Sequence, residues 1–249
     1  MACTVTGLGR LTDQCLAGGV FPPSSSRHAS ERRYADRVAA GAVLADQLAR
    51  LLAGDPALDR PLVLGLPRGG IPVAGQVASR LGAPLDVLLV RKVGLPEQPE
   101  LAMGAVAAIG DRTAVVRNDP VLRQRRVSAA EFAAACRAGL RTLHQQALRY
   151  RGDREPLELA ARSVIVVDDG LATGATMRAA VATLRAADAG RLVLAVPIGS
   201  PAACEALARL VDALVCPWQP PDFGSVSQGY HDFEQTSEAT VIRILAQTR

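Results

Sequence analysis

The stretch from Val164 to Thr176, V-I-V-V-D-D-G-L-A-T-G-A-T, constrains this chain more than any other. Four consecutive β-branched apolar residues are too few for a helix. They read as a strand buried on both faces, the kind found in parallel sheets. Asp168 and Asp169 stand where that strand ends. A loop containing Gly and Thr follows and opens a helix over about Thr176 to Ala187, ended by Gly190. In open α/β sheets, ligands bind beyond the carboxyl ends of the strands. The loop and helix start offer free backbone N–H groups and a positive dipole end, which together make a phosphate cradle. Thr173 and Thr176 add hydroxyls, and Gly174 permits close backbone approach. Carboxylates beside such a cradle suit the hydroxyls of a sugar or a hydrated Mg²⁺. A capped helix after an acidic strand end is the competing, purely structural explanation. Neither G-x-G-x-x-G after a strand nor G-x-x-x-x-G-K-[ST] occurs, so the dinucleotide and P-loop solutions do not apply.

The rest of the chain reads as more of the same architecture. Leu62–Leu66 and Leu85–Val90 are expected as buried strands, with Pro67-Arg68-Gly69-Gly70 a loop and Ile71–Leu81 a helix ended by Gly82 and Pro84. Leu192–Val196 and Ala213–Cys216 are further strands, with a helix between them started by Ser200-Pro201. Strands alternating with helices mean a central parallel sheet, flanked by helices and joined by right-handed crossovers. Two segments interrupt the alternation. Ala102–Ala108 and Thr113–Val116 read as a hairpin around Gly110-Asp111, and Ser128-Ala129-Ala130-Glu131 is a capping box opening a long helix. That helix has an apolar stripe of Phe132, Cys136, Leu140, Leu143 and Ala147, read as core packing. Upstream, Ser30 is expected to cap a helix to about Ala53, stopped by Gly54-Asp55-Pro56. Residues 1–28 lack periodicity and are expected to be a flexible tail, with one domain over residues 29–249. Lys92–Glu100, K-V-G-L-P-E-Q-P-E, reads as a loop.

Composition narrows the function classes. The net charge of +4 is too small for a general nucleic-acid binder, and aromatics at 3% leave few rings for stacking on bases. Arg123, Arg125 and Arg126 form a short basic cluster that reads as a solvated face. No apolar run is long enough to span a membrane. The first ten residues lack signal-peptide features. Five scattered cysteines without a C-x-x-C support neither a disulfide framework nor a zinc site, and a cytoplasmic location is expected. Of the 28 basic residues, Lys92 is the only lysine. In a chain that otherwise uses arginine, it is a candidate for a task a compact ammonium does better.

The strand, the Asp168-Asp169 pair and the segment Thr173-Gly174-Ala175-Thr176 resemble the signature of the type I phosphoribosyltransferases. The resemblance implies transfer of ribose 5-phosphate from phosphoribosyl pyrophosphate (PRPP) to a nitrogen acceptor, a nucleobase or related amine, with Mg²⁺ and release of pyrophosphate. It implies that Leu171, Ala172, Thr173, Gly174, Ala175 and Thr176 hold the 5-phosphate, and that Asp168 and Asp169 hold the ribose hydroxyls. G-L-P-R-G-G, Gly65 to Gly70, lies where the family places its pyrophosphate loop, with Arg68, Gly69 and Gly70 as binding residues. Arg91 and Lys92 end the next strand, where the family carries basic residues that close on the pyrophosphate. Mg²⁺ would arrive with PRPP, with no direct protein ligand and water-mediated contact to Asp168 or Asp169 as one arrangement.

The stretches K-V-G-L-P-E-Q-P-E-L-A-M-G-A-V and Y-H-D-F-E-Q-T-S are similar to a bacterial subgroup of this family whose acceptor is open. Enzymes for 6-oxopurines carry an acidic base at the position of Ala172, which cannot accept a proton; D-D-G-L-A-T-G-A-T is nearer to the adenine enzymes. A small hood built from the N- and C-terminal segments is expected, in which Trp218, Phe223 and Tyr230 either stack on a base or pack internally. A homodimer is one option for the oligomer. A PRPP or nucleotide sensor on the same fold is the alternative function.

Overall fold

The computed structural model describes residues 33–248, apart from residues 56, 57, 59, 110, 111, 153, 155, 156, 158, 160 and 161. The expected tail, Ser30, Pro56 and the Gly110-Asp111 turn lie outside the described residues. In chain order the elements are α1 (Arg37–Gly54), β1 (Leu62–Gly65), α2 (Gly70–Leu81), β2 (Leu85–Val87), β3 (Leu89–Gly94), β4 (Ala102–Ile109), β5 (Arg112–Arg117), α3 (Asp119–Gln124) and α4 (Ala129–Arg151). They continue with β6 (Val164–Val167), α5 (Ala175–Ala186), β7 (Leu192–Ala195), α6 (Pro201–Ala208), β8 (Ala213–Val215) and α7 (Glu238–Gln247).

Five strands form one parallel sheet in the order β2-β1-β6-β7-β8. Residues alternate between its faces. Val63, Ile165, Val167 and Val193 pack against α1, α2 and α7, while Leu62, Leu64, Val164 and Val166 pack against α5 and α6. A buried strand with helices on both faces must be apolar throughout, which is why β6 reads V-I-V-V. Chain order runs outward from β1 to β2 on one side and from β6 to β8 on the other. The β1/β6 pair is therefore the switch point of the sheet.

The hairpin is present as β4 and β5, and with β3 it makes a second, antiparallel sheet in the order β3-β4-β5. This corrects two expectations. Leu85–Val90 is not one strand. Residues 85–87 pair with β1, and the Leu88 N–H still bonds the Gly65 carbonyl at 3.0 Å, but from Leu89 the chain pairs with β4. Asp86 fixes the bend. It is buried on β2 and accepts from Arg151 Nε, at the end of α4, at 2.9 Å. Lys92 does not open a loop either. It lies within β3 opposite Ala105, and the loop begins only at Leu95 because β4 offers a partner as far as Ala102.

A third correction concerns α1. Its cap is Asp36, whose Oδ1 accepts from the Ala39 N–H at 2.8 Å. Tyr34 and Ala35 cannot be helical because they pair with the C-terminal segment. Tyr34 N–H donates to the Gly229 carbonyl at 2.8 Å, and the His231 N–H returns a bond to the Tyr34 carbonyl at 2.8 Å. This pairing is the base of the hood. Tyr34 packs edge-on to Trp218 with ring centres 6.1 Å apart, and Tyr230 lies tilted on Phe233 at 5.1 Å. The capping box of α4 forms as read, with the Ser128 N–H donating to Glu131 Oε2 at 2.8 Å. Among the described residues no helix is long and apolar enough to cross a membrane. Cys136, Cys204 and Cys216 are free and buried.

Candidate active site

The switch point brings two separate loops together. β1 runs into residues 66–70 and β6 into residues 168–174, and the strands are hydrogen-bonded neighbours. The Leu66 N–H extends the pairing by donating to the Val167 carbonyl at 2.9 Å. The loops then touch closely. A Cβ on Gly70 would lie 2.8 Å from the Val167 carbonyl oxygen and 2.9 Å from Asp168 Cα. A Cβ on Gly69 would overlap the Asp169 carboxylate, reaching 2.8 Å from its Cγ. Both glycines are thus required by close approach to the acidic pair. The Pro67–Arg68 peptide between them and β1 is cis. Arg68 is half-buried, and its guanidinium makes no ion pair or hydrogen bond among the described residues.

The acidic pair is electrostatically unusual. Asp168 Oδ1 accepts the Asp169 N–H at 2.9 Å, and Asp169 Oδ2 accepts from Arg37 Nε at 2.9 Å. Burial, and next the charge of Asp169, push the Asp168 carboxyl well above the usual range. Burial also raises Asp169, opposed by the hydrogen bond and charge of Arg37. Asp168 Oδ2 and Asp169 Oδ1 have no partner among the described residues. No group of three or more His, Cys, Asp or Glu side chains that could hold a metal is present among the described residues. The two free carboxylate oxygens fit a Mg²⁺ that keeps most of its waters and is held chiefly by a ligand's phosphates.

Gly174 sits at φ +73°, the left-handed region that favours glycine, and α5 starts on the next residue. Its first-turn N–H groups have no intrahelical acceptor. That of Ala175 makes only a 3.5 Å contact to Thr173 Oγ1. Ala172, Thr173 and Thr176 are placed at this end, all three exposed. Leu171 departs from its expected role. It is buried, its N–H donates to the Ile198 carbonyl at 2.9 Å, and its carbonyl accepts from Ser200. That N–H is spent on anchoring the loop, which leaves the donors from residue 172 onward.

Arg91 and Lys92 are both exposed, but strand alternation sends them to opposite faces of β3. Arg91 lies on the α4 side, its Cδ 3.9 Å from the Cβ position of Gly139. Lys92 shares its face with Val90, which packs toward the cluster containing Met177 and Ala180 of α5. Only Lys92 therefore stands on the α5 side. Sequence reasoning missed two cations here: Arg178 on the first turn of α5, with Nη2 3.5 Å from the Thr173 carbonyl, and Arg37. Neither carries a local motif. Trp218, Phe223 and Tyr230 pack with one another and Tyr34, and the Tyr230 hydroxyl donates to the Asp169 backbone carbonyl.

An apolar strand ending in two carboxylates, a glycine loop against them and a glycine-led helix start define an open α/β domain whose candidate site lies at the switch point of its parallel sheet. Comparison with known proteins specifies it. Residues 39–212 match the family model described as the phosphoribosyl transferase domain, and the chain belongs to the phosphoribosyl transferase family. Two Mycobacterium tuberculosis proteins, from strains CDC 1551 and H37Rv and provisionally named phosphoribosyl transferases, are each 46% identical over 212 residues. That match covers 85% of this chain, which spans about half (46%) of the length of those curated relatives. The crystal structure of TT1426 from Thermus thermophilus superposes with a TM-score of 0.74 at 39% identity, covering 87% of this chain and 99% of that one.

Proposed function

We propose that the protein transfers ribose 5-phosphate from PRPP to a nitrogen acceptor, a nucleobase or related amine, and releases pyrophosphate. The observation that carries this reading is the meeting of three unlike groups at the β1/β6 switch point. The Gly69-Gly70 loop abuts the Asp168-Asp169 pair, and the free N–H groups of α5 open from the same loop. The family membership supports it.

Each part has a task in such a transfer. The N–H groups of residues 172–176 and the Thr173 and Thr176 hydroxyls would hold the 5-phosphate, with Arg178 beside them. Asp168 and Asp169 would accept from the ribose hydroxyls. Gly69 and Gly70 would bring backbone N–H groups to the pyrophosphate, and Arg68 would offer it a two-pronged donor. Cleaving the anomeric bond builds positive character on the sugar and negative charge on the leaving pyrophosphate. Stabilising that charge is the main catalytic term. Lys92 fits it better than Arg91, because it stands on the α5 side of β3. Mg²⁺ carried by the pyrophosphate would supply further charge neutralisation. A cytoplasmic location and a homodimeric assembly belong to the same reading.

The test is a screen of nucleobases and related amines for acceptor-dependent release of pyrophosphate from PRPP, with and without Mg²⁺. Turnover with any nitrogen acceptor supports the proposal. Tight PRPP binding without turnover by any acceptor would favour the sensor, no PRPP binding would refute the transferase, and no binding of PRPP or of any nucleotide would refute both.

A further inference from the structure

Besides the Tyr230 hydroxyl on the Asp169 backbone carbonyl, one charged side chain joins the hood to the acidic strand end, and the transfer chemistry leaves it without a role. Arg37, the first residue of α1, donates through Nε to Asp169 Oδ2 at 2.9 Å and through Nη1 to the Glu234 backbone carbonyl at 2.7 Å. Its guanidinium carbon lies 4.0 Å from the centre of the Phe233 ring. The two charged side chains are 11% and 16% exposed, so the pair is largely shielded from the solvent screening that makes surface pairs weak. Gly69 closes another side, where a Cβ would come within 3.2 Å of Arg37 Nε. The start of α1, the C-terminal hood, the residue 66–70 loop and the end of β6 are fastened at a single ion pair.

We propose that Arg37 is a positioning residue that couples the seating of the hood to binding of the phosphoribosyl donor. The inference rests on the PRPP reading of the site. One oxygen of Asp169 is committed to Arg37, so a ribose diol meets the other oxygen and Asp168. The same guanidinium grips Glu234 and Phe233, so the hood and the carboxylate cannot move independently. The anchor needs a planar cation. Its edges donate in two directions while its face stacks on a ring, and a lysine ammonium offers no such fork or face.

Trp218 makes the coupling measurable. It is the chain's only tryptophan, and its ring packs on Tyr34 inside the hood. Acrylamide quenching of its emission, without ligand, reads hood seating; calorimetry with PRPP and Mg²⁺ reads donor affinity. Arg37→Gln should retain the far-UV circular dichroism of the wild type and make Trp218 markedly more quenchable. It should also weaken PRPP binding about tenfold or more, the scale of a lost charge-assisted hydrogen bond. Arg37→Lys should recover only part of both signals although it keeps the charge. If Arg37→Gln does not fold, Phe233→Leu, which removes only the stacked ring, should shift both readouts in the same direction by less. Unchanged quenching in Arg37→Gln overturns the proposal. So does full recovery by Arg37→Lys, which would reduce Arg37 to a point charge, and so does an unseated hood with unchanged PRPP affinity. If the wild type does not bind PRPP, the donor reading falls, and the quenching comparison alone decides whether Arg37 seats the hood.

Discussion

Asp168→Asn should make the protein more stable and less active. In the wild type this carboxyl is raised by burial and by the neighbouring Asp169 charge, and the one hydrogen bond it accepts among the described residues is from the Asp169 N–H. Arg37 pairs directly with Asp169 and lowers Asp168 only through its charge, the weakest of the influences on that carboxyl. Because the folded-state value lies above the unfolded one, ionising Asp168 costs more in the folded chain. Stability is therefore fully present below the unfolded value, near 3.8, and declines as pH rises through the folded value. Asparagine keeps an oxygen acceptor for the Asp169 N–H and removes the charge. The gain at neutral pH should be roughly 0.5–2 kcal/mol, the usual scale for relieving a strained functional group. For a chain of this size each kcal/mol raises Tm by about 2–4 °C. Thermal melts of the two proteins from about pH 4 to 8 give the test, a range that spans the rise from the unfolded value. The gap should be widest at neutral pH and close as the medium is acidified, because the wild type then takes up the proton. PRPP affinity should fall by about tenfold or more as a charged acceptor for the ribose is lost. An Asn variant less stable than the wild type at neutral pH, or a gap that does not change with pH, would refute the reasoning.

Other perturbations probe neighbouring parts of the argument. Lys92→Met should lower turnover by roughly 10²–10³ while leaving most PRPP affinity, with Lys92→Arg restoring part of the rate, as for a contact that strengthens when charge develops. Arg91→Met, on the opposite face of β3, should change steady-state turnover by less than about tenfold; equal losses at both positions would contradict the alternation seen here. Gly69→Ala should cost about 1–3 kcal/mol through overlap with the Asp169 carboxylate, measured by denaturant unfolding, and should abolish donor binding seen by calorimetry. Asp86→Ala should destabilise by about 3–5 kcal/mol, because it removes the carboxylate that balances the buried Arg151 charge; near-neutral unfolding free energy would show that the pair is not needed.

The chain itself determined what depends on neighbours in sequence. The V-I-V-V run, the carboxylates directly after it, Gly174 before a helix and the Ser128 capping box are local patterns, and each stands in the structure where its residues place it. The parallel architecture followed, because strands that alternate with helices have few ways to pack. Tertiary structure decided whatever rests on partners far apart in sequence. The run from Leu85 to Gly94 divides between two sheets because Gly65 and Ala108 each claim a part of it. The helix expected from Ser30 instead begins after Asp36, because Tyr34 pairs with residues 229–231. Lys92 and Arg91, adjacent in sequence, were separated by the pleat of a strand that only the β4 partner defines. Arg37 could not be read in advance at all. It is one arginine among many in the sequence, and its significance arises only when the hood brings it against a carboxylate 132 positions away. Hydrophobic pattern fixes where a strand or helix forms, but a charge acquires its meaning from whatever the fold later buries beside it.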